Sequence, residues 1–410
     1  MPLKTPFYDR LESLNETKIW KSWSGFLIAP KLQHSLATEY YSIRNSVSLL
    51  DTSPLFKYQF SGDSGLATLS RVLVRDPSRV GIGKAQYNLL CDEQGFVLQD
   101  CVLLRLSRDE FLMSVAEPSL RHFRGAARSA DLDPQSVQDV SQNFGILALQ
   151  GPHAFSVLRE CASGLEDLGY FETRRTTIGG TTVVVSRTGY TGDLGFELWI
   201  PHGAALHVWD TLFAAGSGFN ITAIGTTALK MARVEAGLLL LDVDFESSRF
   251  AWSDEQRSTP NDLGFGWMTK PLAAASTERS FIGRDAIVRE LESNSTRWQT
   301  VGLEIDCGEY ESLYRAAGVP VDRHNVYRES TLSLYRRGQK EWDYAGYASS
   351  FLYSSLLKRP IAIARLPVDL SSPGTEVDME IAVIRKPETV TATVCEMPFF
   401  NPARKTAALS

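Results

Sequence analysis

Long apolar runs are missing from the 410 residues. The longest aliphatic stretch, "GLLLL" at 237–241, is far too short to cross a bilayer. The opening, "MPLKTPFYDRLESLNET", lacks the apolar segment of a secretory signal, so no membrane association is expected. Cysteine is scarce: Cys91, Cys101, Cys161, Cys307 and Cys395 are scattered, odd in number and free of any Cys-x-x-Cys pair. That pattern speaks against a disulfide framework and a thiolate zinc site, and for a reducing, cytoplasmic setting. The six histidines show no metal-type spacing; His202 and His207 are five apart, off one helical face, so no metal is expected. A basic excess is absent too: the net charge is −6 without a Lys/Arg-rich run, which argues against nucleic acid as a partner. There is no Gly-x-Gly-x-x-Gly after a strand, no Walker sequence and no Gly-x-Ser-x-Gly elbow. His153 in "GPHAF" has no evident nucleophile beside it and reads as a helix-start residue.

What is present belongs to a globular chain, 43% hydrophobic and 22% charged, long enough for two or three packed domains. Apolar positions over 36–50 fall at helical spacing, ending in a helix cap or a strand entry near Asp51. "FKYQFSG" (56–62) alternates as a strand, and 63–76 has the period of a capped helix. Residues 84–116 read as three strands with turns at 92–95 and 107–110, and 118–130 as a helix. This order predicts a small α+β unit between about 55 and 141. A buried strand then breaks at Gly-Pro into a helix (143–161), and helices are expected at 203–216, closed by Gly216, and at 227–241. Beyond about 297 the pattern becomes short strands, with a polar loop around 307–342. A β-rich C-terminal domain is the reading there.

Few stretches invite a chemical reading. In "VSRTGYTGDLGFELWIP" (185–201) three glycines interrupt what would be a plain hairpin. On spacing alone, Gly189, Gly192 and Gly195 supply positive φ to a wide turn while Glu197 faces solvent. The other reading takes Glu197, between Phe196 and Leu198, as a carboxylate anchored inside a pocket. Asp100, set among leucines and valines in "GFVLQDCVLLRL", is a poor strand former. It is either an edge-strand acid or a proton-handling carboxylate, and pattern leaves both open. Tyr87 and Trp267 would by themselves be core aromatics with a polar tip.

Together the stretches "SIRNSVSLLDTS", "GKAQYNLLCDEQGFVLQD", "LALQGP", "SRTGYTGDLGFELW", "ARVEAGL", "LGFGW" and "FIGRDA" resemble the aminomethyltransferase family, typified by the T-protein of the glycine cleavage system. The likeness covers nearly the whole chain in order, and "SRTGYTGDLGFEL" is its most specific motif. It implies an α+β cloverleaf of three domains around a central folate channel. Residues 1–54 plus 142–296 would form a chain-split first domain, 55–141 a ferredoxin-like second, and 297–410 a C-terminal β-barrel. It implies that Tyr190, Glu197, Tyr87, Trp267 and Leu55 contact tetrahydrofolate and that Asp100 acts in catalysis. A carboxylate such as Glu197 can accept the paired N–H groups along a pterin edge, and tyrosine and tryptophan faces cover the ring. The glycines of 189–195 would then let the backbone pass close to a flat ligand.

The chain departs from the T-protein pattern on the substrate side. Gln99 stands for the first of two paired aspartates, Ala116 for an asparagine, Leu229 for an arginine, and "DTSPL" lacks a histidine. These changes point to a tetrahydrofolate-dependent transferase that takes its carbon from a small methylated or aminomethylated compound. The alternatives are a true T-protein working on a lipoylated carrier protein, and a non-catalytic folate-binding protein.

Overall fold

The computed structural model describes residues 2–273, 279–321, 327–338 and 343–409. Among the described residues, three large sheets and a small hairpin of Lys21–Trp23 and Phe26–Ile28 carry the chain, and the order in which they are built decides which residues meet. The first has six strands in the order Thr173–Ile178, Thr181–Ser186, Gly195–Pro201, Phe144–Gln150, Val47–Asp51 and Ile221–Ala223. All neighbours are antiparallel except the last pair, which is parallel. Strand Val47–Asp51 is buried at all five positions because both faces are covered. On one side lie helices Ala154–Cys161 and Ala205–Gly216, whose Val157, Leu158, Val208 and Leu212 pack with Leu49, Leu147 and Phe196.

From Asp51 the chain crosses into a five-stranded antiparallel sheet ordered Lys84–Cys91, Val97–Arg105, Glu110–Val115, Phe56–Ser61, Val137–Asp139. Leaving out the added edge strand Lys84–Cys91, the spatial order is 4-1-3-2 in chain sequence, with helices Gly62–Val72 and Leu120–Arg128 on one face. That is the ferredoxin-like arrangement the resemblance implied. Alternation drives it: Tyr58 and Phe60 point inward, two apart on one strand, and both contact Phe123 of the helix edge-on, at 5.1 and 5.2 Å.

The C-terminal part is a closed barrel of six strands, Trp298–Ile305, Arg359–Pro367, Tyr344–Ser354, Tyr327–Arg336, Glu376–Val383 and Lys386–Cys395. Closure leaves no free sheet edge. Three expectations fail, the first being the helix over 36–50, which spans Leu36–Asn45 only, because Val47–Asp51 is a strand buried on both faces. The polar segment 307–342 is no loop: Cys307–Ala316 is a helix N-capped by Asp306, and Tyr327–Arg336 is a barrel strand. The strand was hidden because it carries charged and polar residues along its length, with only Leu334 buried. Residues 322–326 and 339–342 of that segment lie outside the described residues. The helix expected over 227–241 spans Thr226–Glu235 only. Gly237, at φ 61°, turns the chain, and Leu239 and Leu241 are buried outside any helix. Among the described residues no helix is long and apolar enough to cross a membrane.

Candidate active site

Asp100 and Tyr87 lie on neighbouring strands. Leu89 pairs with Asp100 and Tyr87 with Val102, which puts Tyr87 and Asp100 diagonally on one face of the sheet. The Tyr87 hydroxyl donates to Asp100 Oδ2 at 3.0 Å. Burial pushes the Asp100 carboxyl above its ordinary range, and the tyrosine's hydrogen bond works against that rise. Asp100 nevertheless keeps some accessible surface. A carboxylate that is desolvated yet reachable sits in a concavity.

Gln99 points the other way and is fully buried. Its Oε1 accepts from the Glu117 backbone N–H at 2.9 Å, and its Nε2 donates to Ser119 Oγ at 2.5 Å. A carboxylate there would lose the donor, so the amide fastens the turn at 117–119 and does no chemistry.

The hairpin at 181–201 positions the second acid. Glu197 pairs with Ser186 across the strands, its neighbours Phe196 and Leu198 fill the core, and Glu197 itself stays partly exposed. Thr188 donates to Glu197 Oε2, and the Ser186 and Thr188 hydroxyls lie 2.5 Å apart. Burial raises the Glu197 carboxyl; the Thr188 hydrogen bond opposes it. Among the described residues Thr188 is its one side-chain donor, which leaves Oε1 open to a ligand.

Two of the three glycines of this loop serve a different purpose from the one expected. Only Gly192 has positive φ, 72°. A Cβ on Gly189 or on Gly195 would stand 2.1 Å from the Gln150 side chain, and one on Gly192 would stand 2.4 Å from Ala236. Gln150 is buried in the loop: it donates to the Thr188 and Phe196 carbonyls, both at 3.3 Å, and accepts from Thr191 at 2.8 Å. Gly189 and Gly195 make room for an internal amide, and Gly192 for Ala236, with no flat ligand needed to explain them.

The loop's charges are also structural. Arg187 donates to the carbonyls of Leu168 at 2.9 Å, Lys405 at 3.1 Å and Ala407 at 2.6 Å, holding the C-terminal tail. Asp193 pairs with Arg404 at 2.6 Å and with Arg44 at 3.4 Å.

Tyr190 reaches from the same loop to donate to the Leu239 carbonyl. Burial raises its phenol far above the ordinary value, and the charges of Arg233, Asp100 and Asp244 all act on it. Tyr87 and Tyr190 pack against one shared core cluster with Phe265 and Ala116. Asp100, Tyr87 and Tyr190 therefore occupy one neighbourhood, and the loop that carries Tyr190 also anchors Glu197.

Two expected contacts stand apart. Trp267 is 53% exposed, and among the described residues its neighbour toward the site is Arg75, whose guanidinium lies 5.0 Å over its ring. Leu55 sits in the turn before strand Phe56–Ser61, its N–H bonded to the Thr52 carbonyl; no described contact joins it to Asp100 or Glu197. A polar cleft of about 360 Å³ between Gln94, Thr259, Arg289 and Arg297 contains none of these residues.

Sequence reasoning missed Arg233. Fully buried, it pairs with Asp244 and donates to Ser350 Oγ at 2.6 Å and Tyr327 OH at 3.2 Å, which ties helix Thr226–Glu235 to two barrel strands. A parallel tie runs through Glu235, which accepts from Arg44 at 2.6 Å and from Ser354 Oγ at 2.6 Å. The available signal was two opposite charges, Arg233 and Glu235, two residues apart beside the apolar Ala232 and Val234.

An α+β scaffold with a C-terminal barrel, and two partly accessible, desolvated carboxylates, Asp100 beside Tyr87 and Glu197 beside Thr188, define the class as a mixed-fold enzyme. Residues 13–270 match the GCVT N-terminal domain and residues 299–401 the glycine cleavage T-protein C-terminal barrel domain, and the chain belongs to that family. It is 30% identical over 303 residues to the aminomethyltransferase of Exiguobacterium sibiricum, covering 74% of this chain and 78% of that one. It is 29% identical to that of Symbiobacterium thermophilum over 97% of both chains. The glycine cleavage system aminomethyltransferase T from Bartonella henselae has the same fold, with a TM-score of 0.78 at 21% identity, over 98% of this chain and 99% of that one. Membership among these transferases sets aside the reading of a non-catalytic folate-binding protein. It also favours the T-protein reading over the small methylated donor expected from the sequence.

Proposed function

We propose that the chain is a tetrahydrofolate-dependent aminomethyltransferase that takes its one-carbon unit from an aminomethyl group borne on a lipoylated carrier protein. The observation that carries this reading is the shared neighbourhood of Asp100, Tyr87 and Tyr190, with Glu197 held by the same loop as Tyr190. The full-length likeness to aminomethyltransferases supports it.

The residues fit a pterin. Glu197 has one carboxylate oxygen without a donor among the described residues, and its charge is disfavoured by burial. Two parallel N–H donors on a ligand edge would relieve that cost. Tyr87 and Tyr190, which lie near each other and near Asp100, would cover the ring. When bound, tetrahydrofolate supplies the nitrogen that accepts the one-carbon unit. Asp100, oriented by Tyr87, orients that nitrogen and handles the proton as ammonia departs. Leu55 and Trp267 stay in the proposal as outer contacts. The division of the chain at 54/55, 141/142 and 296/297 belongs to it as well, supported by the passage from one sheet to the next near each point.

Incubation with tetrahydrofolate and an aminomethylated lipoyl carrier should release ammonia and form methylenetetrahydrofolate; absence of both rejects the proposal. A small methylated donor remains a second reading for one reason. Leu229 is buried in the same core cluster against which Ala116, Tyr87 and Tyr190 pack, and both positions are apolar. Turnover of N-methyl compounds without any carrier would decide for it.

A further inference from the structure

After helix Gly62–Val72 the chain runs along the outer edge of strand Lys84–Cys91. The Val74 N–H donates to the Leu89 carbonyl at 3.1 Å. Asn88 clamps the backbone of Arg75 at both ends, accepting its N–H at 2.9 Å and donating to its carbonyl at 3.0 Å. The side chain then folds back, and Arg75 Nη1 donates to the Tyr87 carbonyl at 2.7 Å. Its guanidinium rests over the half-exposed Trp267 ring.

This cation is well placed and underused. Partial burial lowers its pKa, and no acid offsets that effect. Among the described residues no carboxylate pairs with it. The adjacent Asp76 is spent on the Ser78 N–H at 2.9 Å and on Arg79 at 3.5 Å. A guanidinium has five N–H donors in a planar fork, and one of them is occupied here. A cation–π contact with the indole at 5.0 Å holds the guanidinium without using its N–H edge, which suits bidentate capture of a carboxylate.

Tyr87 joins the two places. Its carbonyl holds Arg75 and its hydroxyl holds Asp100, so a whole tyrosine side chain separates the guanidinium from the reacting carboxylate. Phe265 contacts the Tyr87 ring at 5.6 Å, and Trp267, two residues on, contacts Arg75. An anion at Arg75 thus belongs to the far end of a long ligand whose other end lies near Asp100. We infer that Arg75 and Trp267 form a rim subsite for the glutamyl carboxylate of tetrahydrofolate, an inference that rests on the folate reading above.

Equilibrium titration of the full chain with tetrahydrofolate and with tetrahydropterin, which lacks any carboxylate, tests it. Arg75→Gln should weaken tetrahydrofolate about tenfold and leave tetrahydropterin unchanged, with partial recovery in Arg75→Lys. Equal loss for both ligands would make Arg75 a purely structural residue. No loss for either, while Glu197→Gln abolishes both, would remove the rim subsite and keep the pterin site. Unchanged folate affinity with a raised KM for the carbon donor would assign the carboxylate to the donor and overturn the inference. If neither ligand binds the native chain, the folate reading fails and takes the subsite with it.

Discussion

The Tyr87 hydroxyl donates to the carboxylate of Asp100 across two antiparallel strands, 3.0 Å away. A hydrogen bond to the ionised form stabilises it, so this contact holds down a carboxyl that burial alone would raise further. Tyr87→Phe removes the donor and keeps the ring. The acidic limb of the kcat/KM profile should then move to higher pH, and the plateau should fall roughly tenfold or more. An unmoved limb would mean that Asp100 does not titrate in the reaction.

Glu197→Ala should weaken tetrahydrofolate binding by roughly 2–5 kcal/mol, the range for breaking a desolvated charged pair. Thr188→Val, which removes only the supporting donor, should cost less. The pH dependence has a fixed sign. The free carboxyl titrates above its ordinary value near 4.5 because it is buried, and the complex needs the carboxylate. Affinity should therefore fall as pH drops, beginning above the usual carboxylate range. Isothermal titration between pH 5 and 8 measures it, and a flat profile would place the glutamate against water.

Lys57 is fully buried where the chain passes between the first two sheets, its ammonium donating to the carbonyls of Ser53 at 2.7 Å, Leu55 at 2.9 Å and Ser141 at 3.1 Å. Burial lowers its pKa from 10.5 to about 8, against the pull of Asp51. Between those values the unfolded chain holds a proton that the folded chain lacks, so stability rises with pH in that window and has no slope from this group below it. Relative to Lys57→Met, native stability should grow on the order of 2–3 kcal/mol from pH 8 to 10 in denaturant melts. A constant difference would show that the lysine keeps its ordinary pKa.

Gly189→Ala or Gly195→Ala should destabilise the fold by about 1–3 kcal/mol, because the new methyl meets Gln150. Adding Gln150→Ala should recover part of that loss, a coupling that a double-mutant cycle reads directly. Purely additive losses would mean that the glycines are needed for something other than the amide.

Period-based reading found the regular elements where one face is apolar. The hairpin at 84–105 and the helix at 205–216 are of that kind, since burial of alternate or every third to fourth residue leaves its trace in the chain itself. It failed at Tyr327–Arg336, where closure of the barrel supplies partners that local pattern does not encode. It also misread the glycines at 189 and 195, whose need arises from Gln150, a side chain some forty residues away.

Local alternation, composition and a dense glycine motif were sufficient to specify strands, helices, the absence of a membrane-length apolar run, and the family. Which charges lie buried together was settled by three-dimensional packing. Arg44 meets Glu235 because helices Leu36–Asn45 and Thr226–Glu235 pack together, and Arg233 meets Asp244 where the chain after the second helix folds back against the barrel. Ion pairing in a low-dielectric interior depends on distances between segments far apart in the chain, and no window of sequence contains those distances.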